Sequence, residues 1–469
     1  MSDNKQLVVI GAGPGGYTAA FLAADKGFEV TLIEKRLNPG GVCLYEGCIP
    51  SKALLHVAKL LEEAKHANDW GISFGKPTID LDKLRSFKDS VIGKLTSGTG
   101  QLVKQRKINY IQGTASFEGD HTLSVTKTGG SVEKLSYSKV ILATGSEVVR
   151  IPGLWLESDR MIDSAGALEL RDIPEKMLVI GGGIIGLEMA NVYSALGTKV
   201  SVVEMMPQLI PGADSDLINV LTRSIKPRLD KIMLETSVQQ ITETEKGLKV
   251  VFAGKKQGED VYDKVLMAVG RRPVTKGLGL ENTKVQIDER GFVKVNRAMQ
   301  TDDPDIFAIG DIVGNPMLAH KASAEAKVAV QVISGKKAAF EPAGIPSVVY
   351  SDPEVAWVGL TEQYSAENGI EVEVQKFPWV ASGRAVSMDR KDGVTKVLAD
   401  PSTKRILGVG ITGPGAGEMI AEATLAIEMA ATVDDLSMTI HAHPTLSETV
   451  METAEMFHGE STHIFKPKA

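Results

Sequence analysis

A polar opening, Met1–Gln6, gives way to an apolar β-branched run, Leu7–Ile10, that breaks on glycine. The stretch LVVIGAGPGGYTAAFLAADKGFEVTLIEK predicts a strand, a tight turn, an Ala-rich helix ending at a glycine, and a second strand closing on Glu34. The same plan returns from Met177 as MLVIGGGIIGLEMANVYSALGTKVSVVEM, closing on Glu204. VILATGS from Val140 and VLMAVGRRP from Val265 read as buried strands ending in glycine turns, and IFAIGD ends on Asp311. From about Phe340 the texture changes to short β-like runs (PSVVYSDPEVAWVGL, EVEVQKFPW, GVTKVLAD) followed by the Ala-rich AGEMIAEATLAIEMAA. These patterns predict an α/β chain with two doubly wound units and a separate C-terminal α+β domain.

Both repeated units carry Gly-x-Gly-x-x-Gly between strand and helix, at Gly11, Gly13, Gly16 and at Gly181, Gly183, Gly186. In each, the acid follows eighteen residues after the third glycine. Alone the glycine motif is weak; with the strand before, the helix after and the acid at that distance it is a dinucleotide fingerprint. The glycines permit the turn, the approach of a pyrophosphate and close helix–strand packing, and the helix N-terminus faces the phosphates. An acid at the second strand end suits a free ribose 2′-hydroxyl. Met205, Met206 and Pro207 follow Glu204 with no basic residue, so the second unit is expected to take NAD rather than NADP. Two units imply two Rossmann-bound dinucleotides, and FAD with NAD is the natural pair.

Length and composition agree. At 469 residues the chain should hold two to four domains. Hydrophobic residues are 43% and charged residues 24%, so the composition is globular, and a net charge of −7 gives no nucleic-acid footprint. No secretory pattern and no run of eighteen apolar residues is visible, so a cytoplasmic protein is expected.

The only cysteines, Cys43 and Cys48, share the loop GGVCLYEGCIPSK from Gly40 to Lys52. Zinc would need three or four ligands; no local third partner exists, and His56 falls on a solvated turn, so no metal is expected. A structural staple over so short a loop contributes only about 2 kcal/mol in the loop-entropy account. Redox chemistry fits better. Gly40 and Gly41 let the backbone approach a flat ligand, and Pro50 places Cys48 at a helix N-terminus, which favours thiolate. Lys52 lies one helical turn on, either as a solvated lysine or as positive charge beside whatever Cys48 touches. Asp311 is either a helix N-cap or a carboxylate for polyol hydroxyls.

A thiol pair needs a proton carrier, and HAHPTLSE supplies His441, His443 and Glu448. His443 precedes Pro444 and so sits outside a helix. Glu448 either holds its imidazole in a working tautomer or completes a capping box with Thr445.

Taken in order, the cysteine loop, both fingerprints, ATG, GRRP, IFAIGD and HAHPTLSE resemble the flavoprotein disulfide reductases, over essentially the whole chain. The nearest branch oxidises protein-bound dihydrolipoamide to lipoamide with reduction of NAD. The resemblance implies an FAD-binding domain (1–146), an NAD-binding domain (147–275), a central domain completing the flavin site (276–341) and an interface domain (342–469). It implies a homodimer whose interface domain lends its base to the partner's disulfide, serving lipoyl domains of a 2-oxoacid dehydrogenase complex or the glycine cleavage system. Cys43, Cys48, His443 and Glu448 would be catalytic. FAD would meet the first glycine turn, Glu34, Gly40, Gly41, Lys52, Gly113, Thr144, Gly145, Asp311 and Ala319. NAD would meet Ile180, Gly181, Gly182, Gly183, Ile184, Gly186, Glu204, Val238, Ala268, Val269, Gly270 and Arg271. Glu188 would pair with Lys52.

The commoner loop reads Cys-Leu-Asn-x-Gly-Cys; here Tyr45 and Glu46 fill the middle. An acid between the sulfurs is expected to raise the thiol pKa. A glutathione-type reductase would use NADPH, which Glu204 argues against. A mercuric reductase would carry a C-terminal cysteine pair, and this chain ends in STHIFKPKA. A transhydrogenase would lack the paired cysteines, and a non-enzymatic dinucleotide scaffold would need none of them.

Overall fold

The computed structural model describes residues 6–119 and 121–465. The first fingerprint folds as predicted: strand Gln6–Ile10, helix Pro14–Asp25 and strand Glu29–Glu34. The two strands pair in parallel, Val8 against Thr31 and Ile10 against Ile33. They sit at the centre of a seven-stranded sheet. Its edge strand, Ile306–Ala308, comes from the far side of the chain and pairs in parallel with Lys139–Leu142. The strand Asn109–Gly119 pairs in parallel with Glu29–Glu34 and then turns into an antiparallel meander through Thr122–Lys127 and Val132–Ser136. The parallel strands are nearly continuous apolar runs because helices cover the sheet, and Leu7, Val9, Leu32, Ile141 and Leu142 are fully buried.

The second fingerprint centres a five-stranded parallel sheet ordered Lys231–Met233, Lys199–Val203, Lys176–Ile180, Lys264–Met267, Met161–Ile162. A three-stranded antiparallel sheet from Thr236 to Tyr262 flanks it. A short antiparallel pair, Ser146–Val148 with Arg271–Pro273, marks where the chain crosses between the two units.

The C-terminal part is an antiparallel five-stranded sheet from Ser347 to Gly413, covered by helices Ala416–Glu428 and Glu448–Glu455. Its core centres on Trp379, Phe377, Val409 and Ile411. The architecture is therefore two Rossmann-like parallel sheets plus an antiparallel C-terminal domain. Among the described residues no helix is long and apolar enough to cross a membrane.

Candidate active site

A single continuous cleft of about 1710 Å³ runs between the two sheets and the C-terminal domain. That exceeds the ~300–1,000 Å³ of a one-ligand pocket. Both glycine turns open into it, as do Cys43, Cys48, Lys52 and Glu188.

The two turns share one construction. Glu34 accepts the Ala12 amide on Oε2 (2.9 Å) and the Arg36 amide on Oε1 (3.2 Å). Glu204 accepts the Gly182 amide on Oε2 (2.7 Å) and the Met206 amide on Oε1 (2.8 Å). Both acids are buried. Each carboxylate keeps lone pairs free for a diol after binding two amides. A Cβ on Gly16 or Gly186 would run into the carbonyl oxygen of Gly11 or Gly181, so helix and turn touch backbone to backbone. Gly41, at φ +58, presses on the first turn so closely that a Cβ would lie 2.5 Å from Gly13 Cα. A flat, phosphate-bearing ligand fits two such cradles, and FAD and a pyridine nucleotide have that chemistry.

Cys48 begins the helix Cys48–His66, with Gly47 as N-cap and Pro50 in its first turn. A hydrogen bond from the Cys43 thiol draws the Cys48 pKa down to about 7, with Lys52 assisting against burial and Glu188. The same hydrogen bond, with burial, pushes the Cys43 thiol well above its ordinary range. Lys52 is anchored by Glu188, Nζ lying 2.9 and 3.0 Å from its two oxygens. Its ammonium also sits 4.4 Å from the centroid of the Tyr350 ring, and the Tyr350 amide donates to Glu188 at 3.3 Å. The Tyr17 phenol is raised first by burial and then by negative charge at Cys43 and Cys48. Sequence reasoning singled out neither tyrosine. Tyr17 follows the third fingerprint glycine and reads as the start of a helix, and Tyr350 follows the short strand Ser347–Val349.

Asp311 lies in the cleft and accepts the Ser146 hydroxyl. It does not cap a helix: the turn Gly310–Val313 has Ile309 as N-cap, and the following helix Ala319–Ile333 has Leu318. Arg271 donates to the Ser146 hydroxyl (2.7 Å) and carbonyl (2.6 Å), so its guanidinium ties the interdomain crossing together. Thr144, Gly145, Ala268, Val269, Gly270, Ile184 and Ala319 also line the cleft. Gly40, Gly113, Ile180, Gly182 and Val238 are not among its lining. Gly113 and Val238 face antiparallel partners, Lys127 and Phe252. Gly40 and Gly182 act behind the surface, donating to Ala12 O and Glu204.

The expectation that Glu46 raises the thiol pKa is not supported. Glu46 is paired with Arg36 at 2.7 Å, which offsets its charge, and the Cys48 shift traces to Cys43, burial, Lys52 and Glu188.

His443 and Glu448 meet as a pair. Nδ1 lies 2.8 Å from Glu448 Oε1, while Glu448 Oε2 accepts the Thr445 amide at 2.7 Å. Burial pushes the Glu448 carboxyl up, but the amide and the imidazole outweigh it and hold it below the usual range. Thr445 is not a cap; its hydroxyl donates to Ala442 O, and the helix Glu448–Glu455 has Ser447 as N-cap. His441 is fixed on both ring nitrogens, to Thr439 O (2.8 Å) and Glu422 (2.7 Å). Neither His443 nor Glu448 lines the cleft, and the His443 side chain is 73% exposed. The chain builds the sulfur half and the imidazole half of a site without joining them.

One carboxylate group could suggest a metal: Asp214, Asp216 and Glu362 bring oxygens within 4.8 Å of one another. The Lys396 ammonium occupies that space, 2.6 Å from Asp214 and 3.0 Å from Asp216.

Residues 5–326 match the profile of the pyridine nucleotide-disulphide oxidoreductases, and residues 345–454 match the dimerisation domain of the same family. A dihydrolipoyl dehydrogenase of Vibrio cholerae is 49% identical over 466 residues, covering 99% of this chain and 98% of that one. One from Bacillus subtilis is 41% identical over 461 residues, covering 98% and 97%. Among solved structures, the HOCl-induced flavoprotein disulfide reductase RclA of Escherichia coli superposes with a TM-score of 0.85 at 27% identity, covering 96% of this chain and 99% of that one. LpdA of Mycobacterium tuberculosis superposes at 0.89 with 24% identity, over 96% and 99%, which bears on the fold alone. Two family profiles in order and full-length relatives near half identity fit the duplicated turns and the paired cysteines: the chain belongs to the pyridine nucleotide-disulphide oxidoreductase family and, within it, to the dihydrolipoyl dehydrogenases.

Proposed function

We propose that the chain oxidises protein-bound dihydrolipoamide to lipoamide with NAD as final acceptor, using Cys43 and Cys48 as a reversible disulfide. The observation that carries this reading is the Cys43 and Cys48 pair, beside Lys52 and Glu188, in a cleft shared by two dinucleotide cradles.

The reaction starts from the oxidised pair. His443, oriented by Glu448, takes a proton from one substrate thiol, and the resulting thiolate attacks Cys43 Sγ. The Cys43–Cys48 bond breaks, a mixed disulfide forms, and Cys48 leaves as thiolate, favoured by the Lys52 ammonium beside it. The second substrate thiol then attacks the substrate sulfur bonded to Cys43, closing the lipoyl disulfide; the Cys43–sulfur bond breaks, and Cys43, whose pKa is raised, takes up the proton that the second thiol gives up. The substrate's two electrons now reside in the Cys43–Cys48 pair. FAD held in the first cradle would supply an acceptor for this electron pair, and NAD in the second a hydride acceptor. Lys52, held by Glu188, keeps positive charge beside Cys48. FAD is assigned to the first turn with Glu34, Lys52, Thr144, Gly145, Asp311 and Ala319. NAD is assigned to the second turn with Glu204 and residues 268–271. Met205 and Met206 after Glu204 favour NAD over NADP.

His443 stands outside the cleft of its own chain, and the family's dimerisation domain spans 345–454. We therefore read the site as shared across a homodimer, with regions 1–146, 147–275, 276–341 and 342–469 as its parts. Lipoyl domains of a 2-oxoacid dehydrogenase complex or glycine cleavage system are its partners, in a cytoplasmic setting.

The test is NADH formation from dihydrolipoamide by the purified flavoprotein, with glutathione disulfide and NADPH as the comparison. Cys48→Ser should abolish it with flavin retained. Turnover with NADPH and glutathione disulfide alone would sink the reading. Coexpressing Cys48→Ser with His443→Gln chains distinguishes the dimer: hybrids regain activity only if the imidazole acts across subunits.

A further inference from the structure

The mechanism leaves Tyr45 and Glu46 without a task, yet Glu46 lines the cleft and Tyr45 stands directly behind it. The segment that leaves Glu34 and returns at Cys48 closes on itself. Arg36 Nη2 lies 2.7 Å from Glu46 Oε1, with the Arg36 side chain only 16% exposed. Its guanidinium stands 4.9 Å from the centroid of the Tyr45 ring, and the Tyr45 hydroxyl donates to Asn38 O at 3.1 Å. The ring packs on Gly40, where a Cβ would lie 3.0 Å from Tyr45 Cε2. Glu34, Arg36 and Glu46 all face the cleft. This segment is one lip of the first cradle; the glycine turn is the other, and the two touch at Gly41 and Gly13.

We propose that the Arg36–Glu46 pair, seated on Tyr45, is a latch that retains the dinucleotide held at Glu34. The inference rests on the assignment of FAD to the first cradle. A ligand lying between these lips leaves only when they part. The stretch from Lys35 to Gly40 has no helix or strand of its own to resist that motion. Its restraints are individual bonds, among them Gly40 N to Ala12 O (2.7 Å), Thr99 to Pro39 O (2.7 Å), Tyr110 to Arg36 O (2.8 Å), Gln112 to Lys35 O (3.1 Å), Tyr45 to Asn38 O (3.1 Å), and the latch. The latch ties the start of the segment to the helix Gly41–Glu46 beyond its end, so its loss removes the one restraint that spans the lip from end to end. Stacking on Tyr45 holds the planar guanidinium in the one orientation that reaches Glu46, a task lysine does not share. Arg36 and Glu46 are thus positioning residues for the cofactor and not for the sulfurs.

The test is the rate at which the holoenzyme releases FAD on dilution, followed by recovery of flavin fluorescence. Far-UV circular dichroism and dimer size serve as checks of folding. Arg36→Met and Glu46→Gln should each release FAD about two- to fivefold faster, the range expected of a partly exposed pair. Arg36→Lys should fall between parent and Arg36→Met. The double variant should release no faster than the faster single variant, because both remove one interaction. The midpoint of Cys48 alkylation against pH should stay at the parent value in Glu46→Gln. Release at the parent rate from folded single variants, or additive effects in the double variant, overturns the latch. A parent protein that carries no FAD overturns the assignment of the cradle itself.

Discussion

Lys52 Nζ lies 2.9 Å from Glu188 Oε1, so the helix that begins at Cys48 is bound to the helix that begins just after the second glycine turn. The pair fixes a positive charge near Cys48 and sets a negative one behind it, and the two act on the thiol in opposite directions. Lys52→Met should therefore raise the Cys48 pKa from about 7, while Glu188→Gln should lower it. A shift of about one unit is expected for loss of one charge at this range. The rate of iodoacetamide alkylation as a function of pH reads the midpoint directly. Shifts of the same sign in both variants would contradict this arrangement.

The His443–Glu448 pair makes a separable prediction, because it stands apart from the cleft. His443→Gln should lower dihydrolipoamide turnover by about 10²–10⁴-fold, the usual contribution of general acid–base catalysis. Glu448→Gln should lower it less, since the imidazole keeps its place in the loop but loses the carboxylate facing Nδ1. NADH oxidation by an artificial one-electron acceptor bypasses the sulfur step and should be nearly unchanged in both. Steady-state kinetics with the two electron acceptors, side by side, check this.

How much of this was legible beforehand follows from the range of the interactions. The two βαβ units were readable because fingerprint, helix and acid are local in sequence, and Glu34 and Glu204 bind the Ala12 and Gly182 amides in matching geometry. The Lys52–Glu188 contact spans 136 residues and came only through family resemblance. Tyr350 against Lys52 had no signal, because a strand-end tyrosine looks the same whether it faces solvent or an ammonium. Glu46 was misjudged for a related reason. Its sequence neighbours are sulfurs, but its spatial neighbour is Arg36, which lies beyond the turn. Thr445 fits a capping box by spacing, yet the helix starts two residues later than that box requires.

Selectivity for the nicotinamide cofactor should rest on Glu204. Both of its oxygens are fixed by backbone amides, so it cannot swing away from a 2′-phosphate. Met205, 72% exposed beside it, offers that phosphate nothing. Glu204→Ser combined with Met205→Arg should raise the ratio of kcat/KM for NADP over NAD by about 10²-fold or more, through removed repulsion and an added phosphate partner. Comparing kcat/KM for both nucleotides in parent and variant decides it.

The last prediction concerns what holds the second sheet unit to the C-terminal domain. Lys396, 1% exposed, bonds Asp214 and Asp216 from the start of the helix Ser215–Ile225, and Lys376 binds Asp216 and Glu362. Lys396→Met leaves the buried Asp214 carboxylate only the Glu362 and Gln363 amides (3.0 and 3.1 Å) and should cost about 1.5–3 kcal/mol, the range for a lost hydrogen bond to a charged group. In Asp216 and Glu362, burial opposes ionisation, but the two lysines outweigh it and leave both carboxyls below their ordinary range. Their contribution is fully present above the unfolded carboxyl pKa of about 4 and is lost as pH falls through the lower folded values. Lys376 is raised, so its share is present below the unfolded value near 10.4 and is lost only as pH rises through its higher folded value. The parent should therefore lose stability below about pH 4 more steeply than Asp216→Asn/Glu362→Gln, which lacks those titrations. Urea unfolding across pH 3 to 7 measures the slope, and equal slopes in the two proteins would remove this cluster from the account of acid sensitivity.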